Sequence, residues 1–172
     1  MHRRLVPVLL ILLGTAGAAH AARLDLKTVN EAQFSGKRGK GLDPTMIKAQ
    51  VLLDRARFSS GVIDGRDGDN LRKAVAAFSS ANGLKEGGKF TKEVFDKLAA
   101  SNEPVLREYT IAEGDVKGPF VAKIPAKMED MTKLDRLAYK GPLEALAEKF
   151  HMDERLLKAL KTPASLSTSP AR

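Results

Sequence analysis

Three amphipathic segments between Asp43 and Ala100 narrow the fold of this chain more than any other feature. Each carries apolar residues at helical spacing and has its own start or stop signal. Asp43 precedes Pro44, which suits the cap and first position of a helix, because proline lacks the amide that a helix start leaves unpaired. From there Ala49, Leu52, Leu53 and Ala56 fall on one face of a helix reaching about Arg57. A second segment, Leu71 to Asn82, turns Leu71, Ala74, Val75 and Phe78 inward. Gly83 ends it as a C′ glycine, with Leu84 placed to fold back on the last turn. Thr91 caps a third helix, Lys92 to Ala100, whose Val94, Phe95 and Leu98 are apolar. Each helix has one face to bury, so the expected fold is mainly α, with a small three-helix bundle over 43–101.

The bundle must hold by packing. The chain has no cysteine, which rules out disulfides, a lipid-modified cysteine after the leader and cysteine catalysis alike. It has no tryptophan and two tyrosines, Tyr109 and Tyr139, so broad aromatic platforms for sugar stacking are scarce.

Upstream, Met1-His2-Arg3-Arg4 leads into an apolar run from Leu5 to Leu13 and small residues ending Ala19-His20-Ala21-Ala22. This is the three-part layout of a secretory signal peptide over 1–22, with cleavage expected near Ala21 or Ala22. The run is too short to span a bilayer, so the membrane is expected to matter only during export. Removing Arg3 and Arg4 lowers the formal net charge from +8 to +6. A periplasmic or other extracytoplasmic address takes nucleic acid away as the natural partner of that charge and leaves the stem carboxylates of peptidoglycan. Residues 23–42, with Ser35-Gly36-Lys37-Arg38-Gly39-Lys40-Gly41, read as a flexible basic connector.

Asn102-Glu103-Pro104 marks a boundary, beyond which 102–161 forms a second region. Leu106 to Ile111 reads as a strand, with Tyr109 and Ile111 on one side, and Met128 to Leu137 as a helix. Gly141-Pro142 opens a helix with Leu143, Leu146, Ala147 and Phe150 at helical spacing. Asp153 caps a last one carrying Leu156, Leu157 and Leu160. The small, polar, proline-broken stretch 162–172 is expected to be disordered.

Residues 43–100 resemble the three-helix peptidoglycan-binding-like domain that accompanies many wall hydrolases and transpeptidases. The resemblance rests on Ala49-Gln50-Val51-Leu52-Leu53-Asp54-Arg55, Phe58, Gly61-Val62-Ile63-Asp64-Gly65, Ala74-Val75-Ala76-Ala77-Phe78 and Ala81-Asn82-Gly83-Leu84. Two positions depart from the pattern. Ser79 stands where a glutamine usually follows the phenylalanine, and Leu71 stands where threonine is common; both are expected to alter surface chemistry more than fold.

The later region resembles an incomplete α+β lysin-motif-like segment as found in exported L,D-transpeptidases, through Tyr109-Thr110-Ile111-Ala112, Gly118-Pro119-Phe120, Leu143 to Met152 and Leu156 to Leu160. In that family a second strand and a domain with a histidine and a nucleophilic cysteine follow. Tyr109 to Ile111 would need such a neighbour for its backbone groups. The resemblance therefore implies the front portion of a longer protein, or of a reading frame that has shifted.

The turn from Gly61 to Asn70 is the candidate contact surface, since loops on a rigid bundle carry binding. Arg66, Asn70 and Lys73 are its candidate ligand groups. A guanidinium pairs carboxylates bidentately, and asparagine serves sugar or peptide amides. Asp64 is a fourth candidate, although an aspartate in such a turn commonly bonds its own backbone. Phe58, Ile63 and Phe78 are read as core. His151, the one histidine outside the leader, can assemble neither a zinc site nor a triad alone and is read as capping a helix end. Glu129-Asp130 and Asp153-Glu154 are adjacent pairs that diverge on a helix, so no acid/base dyad is indicated. The expectation is peptidoglycan binding without catalysis, with no cofactor and no metal. A truncated or frameshifted L,D-transpeptidase and an adaptor binding envelope proteins are the competing readings.

Overall fold

The computed structural model describes residues 24–36, 41–85, 87–101, 103–121, 124–125, 128–132 and 138–160. The expected signal peptide, the basic run 37–40, the end of the Met128 to Leu137 helix and the tail lie outside them. The described residues are mainly helical: α1 (Leu26–Asn30), α2 (Pro44–Arg55), α3 (Asp69–Ala81), α4 (Lys92–Leu98) with a 3₁₀ turn at Ala99–Ser101, α5 (Glu113–Lys117), α6 (Met128–Met131), α7 (Pro142–Lys149) and α8 (Glu154–Leu160). Among them pairing of the β type is confined to one isolated parallel bridge, Ile63 with Met152.

The helix starts follow from local chemistry. The Asp43 carboxylate accepts from the Thr45 amide at 2.8 Å, with Pro44 at the first helical position. Thr91 caps α4 through the Val94 amide, Pro142 opens α7, and Asp153 caps α8 through the Arg155 amide at 2.8 Å. Apolar faces of α2, α3 and α4 meet in a core built around Ile47, Leu53, Val75, Val94 and Phe95, each no more than 1 % exposed. Phe58 and Phe78 stack edge-on at 5.6 Å within it.

Three helices stop in the same way. After α3, Gly83 takes a left-handed φ of +69°, its amide donates to Ser80 O and the Leu84 amide reaches back to Ser79 O at 2.9 Å. Arg57 and His151 fill the equivalent position after α2 and α7 with φ of +66° and +54°, and Phe58 and Met152 close on Leu53 O and Ala147 O, both at 2.8 Å. A side chain in the left-handed region crowds its own backbone, so glycine suits these places better. Arg57→Gly should therefore raise the unfolding free energy by about 0.5–1 kcal/mol, read by urea denaturation; a loss of stability would contradict the geometry.

Several sequence expectations are corrected. The strand at Leu106–Ile111 does not form. At its first residue the chain is held by the Asn30 side chain: its Oδ1 accepts from the Val105 and Leu106 amides at 2.9 and 2.8 Å, and its Nδ2 donates to Leu106 O at 2.9 Å. Arg55 adds donors to Pro104 O and Val105 O. The backbone at 105–106 is thus satisfied within the chain by side chains. The stretch read as a connector also does more than connect. Within 24–36, Val29 is fully buried, Lys48 donates to Asn30 O and Ala32 O, and Phe34 packs edge-on against Phe90 at 5.6 Å. Apolar residues at 24, 26, 29 and 34 join the core, which spacing over so short a helix could not display.

Leu71 and Ser79 are 3 % and 1 % exposed. Leu71 faces the core as its helical spacing predicts, and both residues are buried against the expectation that the two departures change the surface; the Ser79 hydroxyl is enclosed without a partner. The second helix begins two residues before its expected start, at Asp69, because Gly68 takes the extended cap conformation.

The last two helices fold back on the bundle. Ile63 donates to His151 O at 2.8 Å and accepts from the Asp153 amide at 2.9 Å, and Leu156, fully buried, enters the same core as Ile63. The segment after the expected boundary is thereby packed against the turn of the bundle.

Candidate functional site

The turn between α2 and α3 is held rigid from both sides. Gln50, on α2 and 3 % exposed, places its Oε1 between the amides of Asp64 and Gly65 at 3.1 and 2.8 Å. Its Nε2 donates to Asp64 Oδ1 at 2.8 Å and to Arg66 O at 3.4 Å. The same carboxylate oxygen accepts from the Arg66 amide at 3.0 Å, closing an Asx turn. Gly65 O accepts from the Asp43 amide at 3.0 Å. Gly65 has to be glycine: its φ is +68°, and an added Cβ would lie 2.7 Å from Ile47 Cγ1. On the other side stand His151 and Asp153, bonded to both polar groups of Ile63. Every backbone N–H from 63 to 66 is consequently engaged inside the protein.

That accounting assigns the four candidate residues. Asp64 is built into the clamp, as the structural reading of such an aspartate expects. Arg66, Asn70 and Lys73 are exposed. Asn70 and Lys73 share a stripe of α3, three residues apart. The Asn70 amide nitrogen lies 3.9 Å from where a Cβ on Gly61 would be, so the head of α3 sits against the start of the turn. Val62, 58 % exposed, adds an apolar contact beside it. Phe58 and Phe78 stack on each other within the bundle and Ile63 is buried, so none offers a sugar platform.

Sequence reasoning missed Gln50. Its signal was a polar residue in an otherwise buried helical stretch, which is informative because such a group must find partners. It also missed a second cluster. Tyr109 donates to Asp115 Oδ2 at 2.7 Å, the Ala112 amide donates to the same oxygen at 2.8 Å, and Lys149 donates to Asp115 Oδ1 at 3.0 Å and to the Tyr109 hydroxyl at 2.5 Å. Phe150 packs edge-on against Tyr109 at 5.0 Å. A cleft of about 710 Å³ opens beside this cluster, bordered by Gly118, Phe120, Tyr139, Glu148, Lys149 and His151.

The cluster holds its charges fixed. The Tyr109 hydroxyl first, then the Ala112 amide and Lys149, bring the Asp115 carboxyl down to about 2, while the hydrogen bonds to Tyr109 and Asp115 raise Lys149. Neither group exchanges a proton near neutral pH. Because the folded pKa of Asp115 lies below its unfolded value of 3.8, its contribution to stability is present above that value and lost as pH falls toward about 2. The Lys149 contribution has the opposite sign: it is full below 10.5 and lost as pH rises through its folded pKa. An NMR titration should find the Asp115 carboxyl near 2 and shifted upward in Tyr109→Phe; an unchanged midpoint in that variant would remove Tyr109 as the leading cause.

His151 ends α7 through its backbone, as the capping reading expects, with its ring Nδ1 3.6 Å from the Asp54 carboxylate. Among the described residues no three His, Cys, Asp or Glu side chains are grouped so as to hold a metal ion, and no helix is long and apolar enough to cross a membrane.

Comparison with curated proteins finds no match to this chain. The clamped turn and the three helices α2, α3 and α4 fall within residues 43–98, which match the family model described as Putative peptidoglycan binding domain.

Proposed function

We propose that the protein is exported and binds peptidoglycan in the cell envelope, without catalysing a reaction, through the face formed by the turn at 59–70 and the exposed stripe of α3. The observation that carries this reading is the match of residues 43–98 to the peptidoglycan-binding family model, over the span that folds as the bundle. The turn supports it physically. Its backbone at 63–66 is fixed by Gln50, Asp64 and the His151–Asp153 segment, so that part of the loop pays no backbone-ordering cost at the moment of binding. Export rests on the leader layout of residues 1–22 and supplies the compartment in which the ligand occurs.

The test is co-sedimentation of the mature chain with insoluble sacculi at moderate salt, beside a basic control protein of equal charge. The chain should pellet with the sacculi well above the control. Pelleting no greater than the control would contradict wall binding and leave an adaptor for envelope proteins as the better account.

A further inference from the structure

We infer that this face recognises carboxylates of the peptidoglycan stem peptide and does not read the glycan. The inference rests on the proposed wall-binding function and concerns which part of the polymer is contacted.

Three observations carry it. First, the turn has no backbone donor to offer between 63 and 66, since each amide is engaged by Gln50, Asp64 or His151. Ligand acceptors that approach 63–66 must therefore meet side chains there. Second, the acids of the region are already engaged. Asp64 accepts from Gln50 and from the Arg66 amide, while Asp67 and Asp69 both take the guanidinium of Arg72, at 3.0 and 2.6 Å. Arg66 and Lys73 form no ion pair among the described residues, and both are exposed. Third, no exposed aromatic ring stands on this face, because Phe58 and Phe78 are stacked on each other in the bundle. A sugar-reading surface ordinarily supplies such a ring together with donors and acceptors.

Residues 59–73 carry three acids and three bases, so the attraction is not a bulk positive field. It is a short-range contact from two cations whose neighbouring acids are occupied, with Asn70 between them in sequence and able to bond a peptide amide. Arg66 presents a planar fork suited to a carboxylate, and its main chain is pinned at both N–H and C=O.

The experiment compares full mature protein on three polymers: native sacculi, sacculi whose carboxylates have been amidated with carbodiimide and methylamine, and glycan strands freed of stem peptides. Wild type is expected to pellet with native sacculi and to lose at least about tenfold in affinity on the other two. Arg66→Ala and Lys73→Ala should each lose about tenfold on native sacculi, and Arg66→Lys should recover only part of it. Lys97→Ala, an equal loss of charge on the exposed side of α4, should bind as wild type. Equal binding to native and amidated sacculi, or retention on bare glycan, would overturn the carboxylate assignment while leaving wall binding intact. Equal losses in Lys97→Ala and Arg66→Ala would overturn it in favour of bulk charge. No binding to native sacculi at all would instead overturn the function on which it rests. Thermal melts matching wild type certify that the surface variants fold.

Discussion

Gln50→Leu should lower the unfolding free energy by about 2–4 kcal/mol, measured by urea denaturation at neutral pH. The substitution keeps an apolar stem on a buried position of α2 but removes four hydrogen bonds at once. The amides of Asp64 and Gly65 lose their acceptor, and Asp64 Oδ1 and Arg66 O lose a donor. A buried polar group left unpaired costs about 1–3 kcal/mol, and the Gly65 amide is wholly enclosed, so relaxation toward water can recover only part of the loss. Binding should fall further than stability alone dictates, because the same side chain positions Asp64, Gly65 and Arg66. A variant as stable as wild type would mean that the turn holds its shape without this clamp.

The second large effect lies at the other end of the chain. Leu156→Ala should cost about 2–5 kcal/mol, since its side chain is fully buried in the core it shares with Ile63 and truncation leaves a cavity. The residue belongs to α8, well beyond the Asn102-Glu103-Pro104 break. If α7 and α8 were a separate unit, their loss would leave the bundle intact and this substitution would be mild for it. The bonds from Ile63 to His151 and Asp153 argue the reverse. The amides of the turn should exchange faster with solvent in Leu156→Ala than in wild type. Unchanged exchange at Ile63 would separate the two ends.

What could be read from the sequence follows the range of the interactions. Asp43, Pro44, Thr91, Gly83 and Asp153 act within four residues of themselves, so cap chemistry was visible in the chain and the helices of the bundle could be placed. The stops after α2 and α7 use the geometry of Gly83 but fill it with Arg57 and His151, so their turn carried no glycine signal. Asn30 was invisible because it serves residues 75 and 76 positions away, so the hold on the backbone where the strand was expected to begin left no local pattern. Leu71 was placed inward by its spacing with Val75 and Phe78, whereas Ser79 was judged only by comparison with a motif and its burial was missed. In the candidate site, Arg66, Asn70 and Lys73 were legible as exposed polar residues of a turn. The clamp that fixes them depends on Gln50, 14 residues before Asp64, and on backbone from the far end of the chain, neither of which a local pattern contains.

The central claim is that the face carrying Val62, Arg66, Asn70 and Lys73 meets the wall polymer. The most direct test is an NMR titration of the isotopically labelled mature protein with soluble muropeptides. Saturable shift changes concentrated at residues 59–73, weaker or absent in Arg66→Ala, are the result this structure predicts. Changes confined to the cleft beside Tyr139 and Lys149, or no saturable change anywhere, would contradict it.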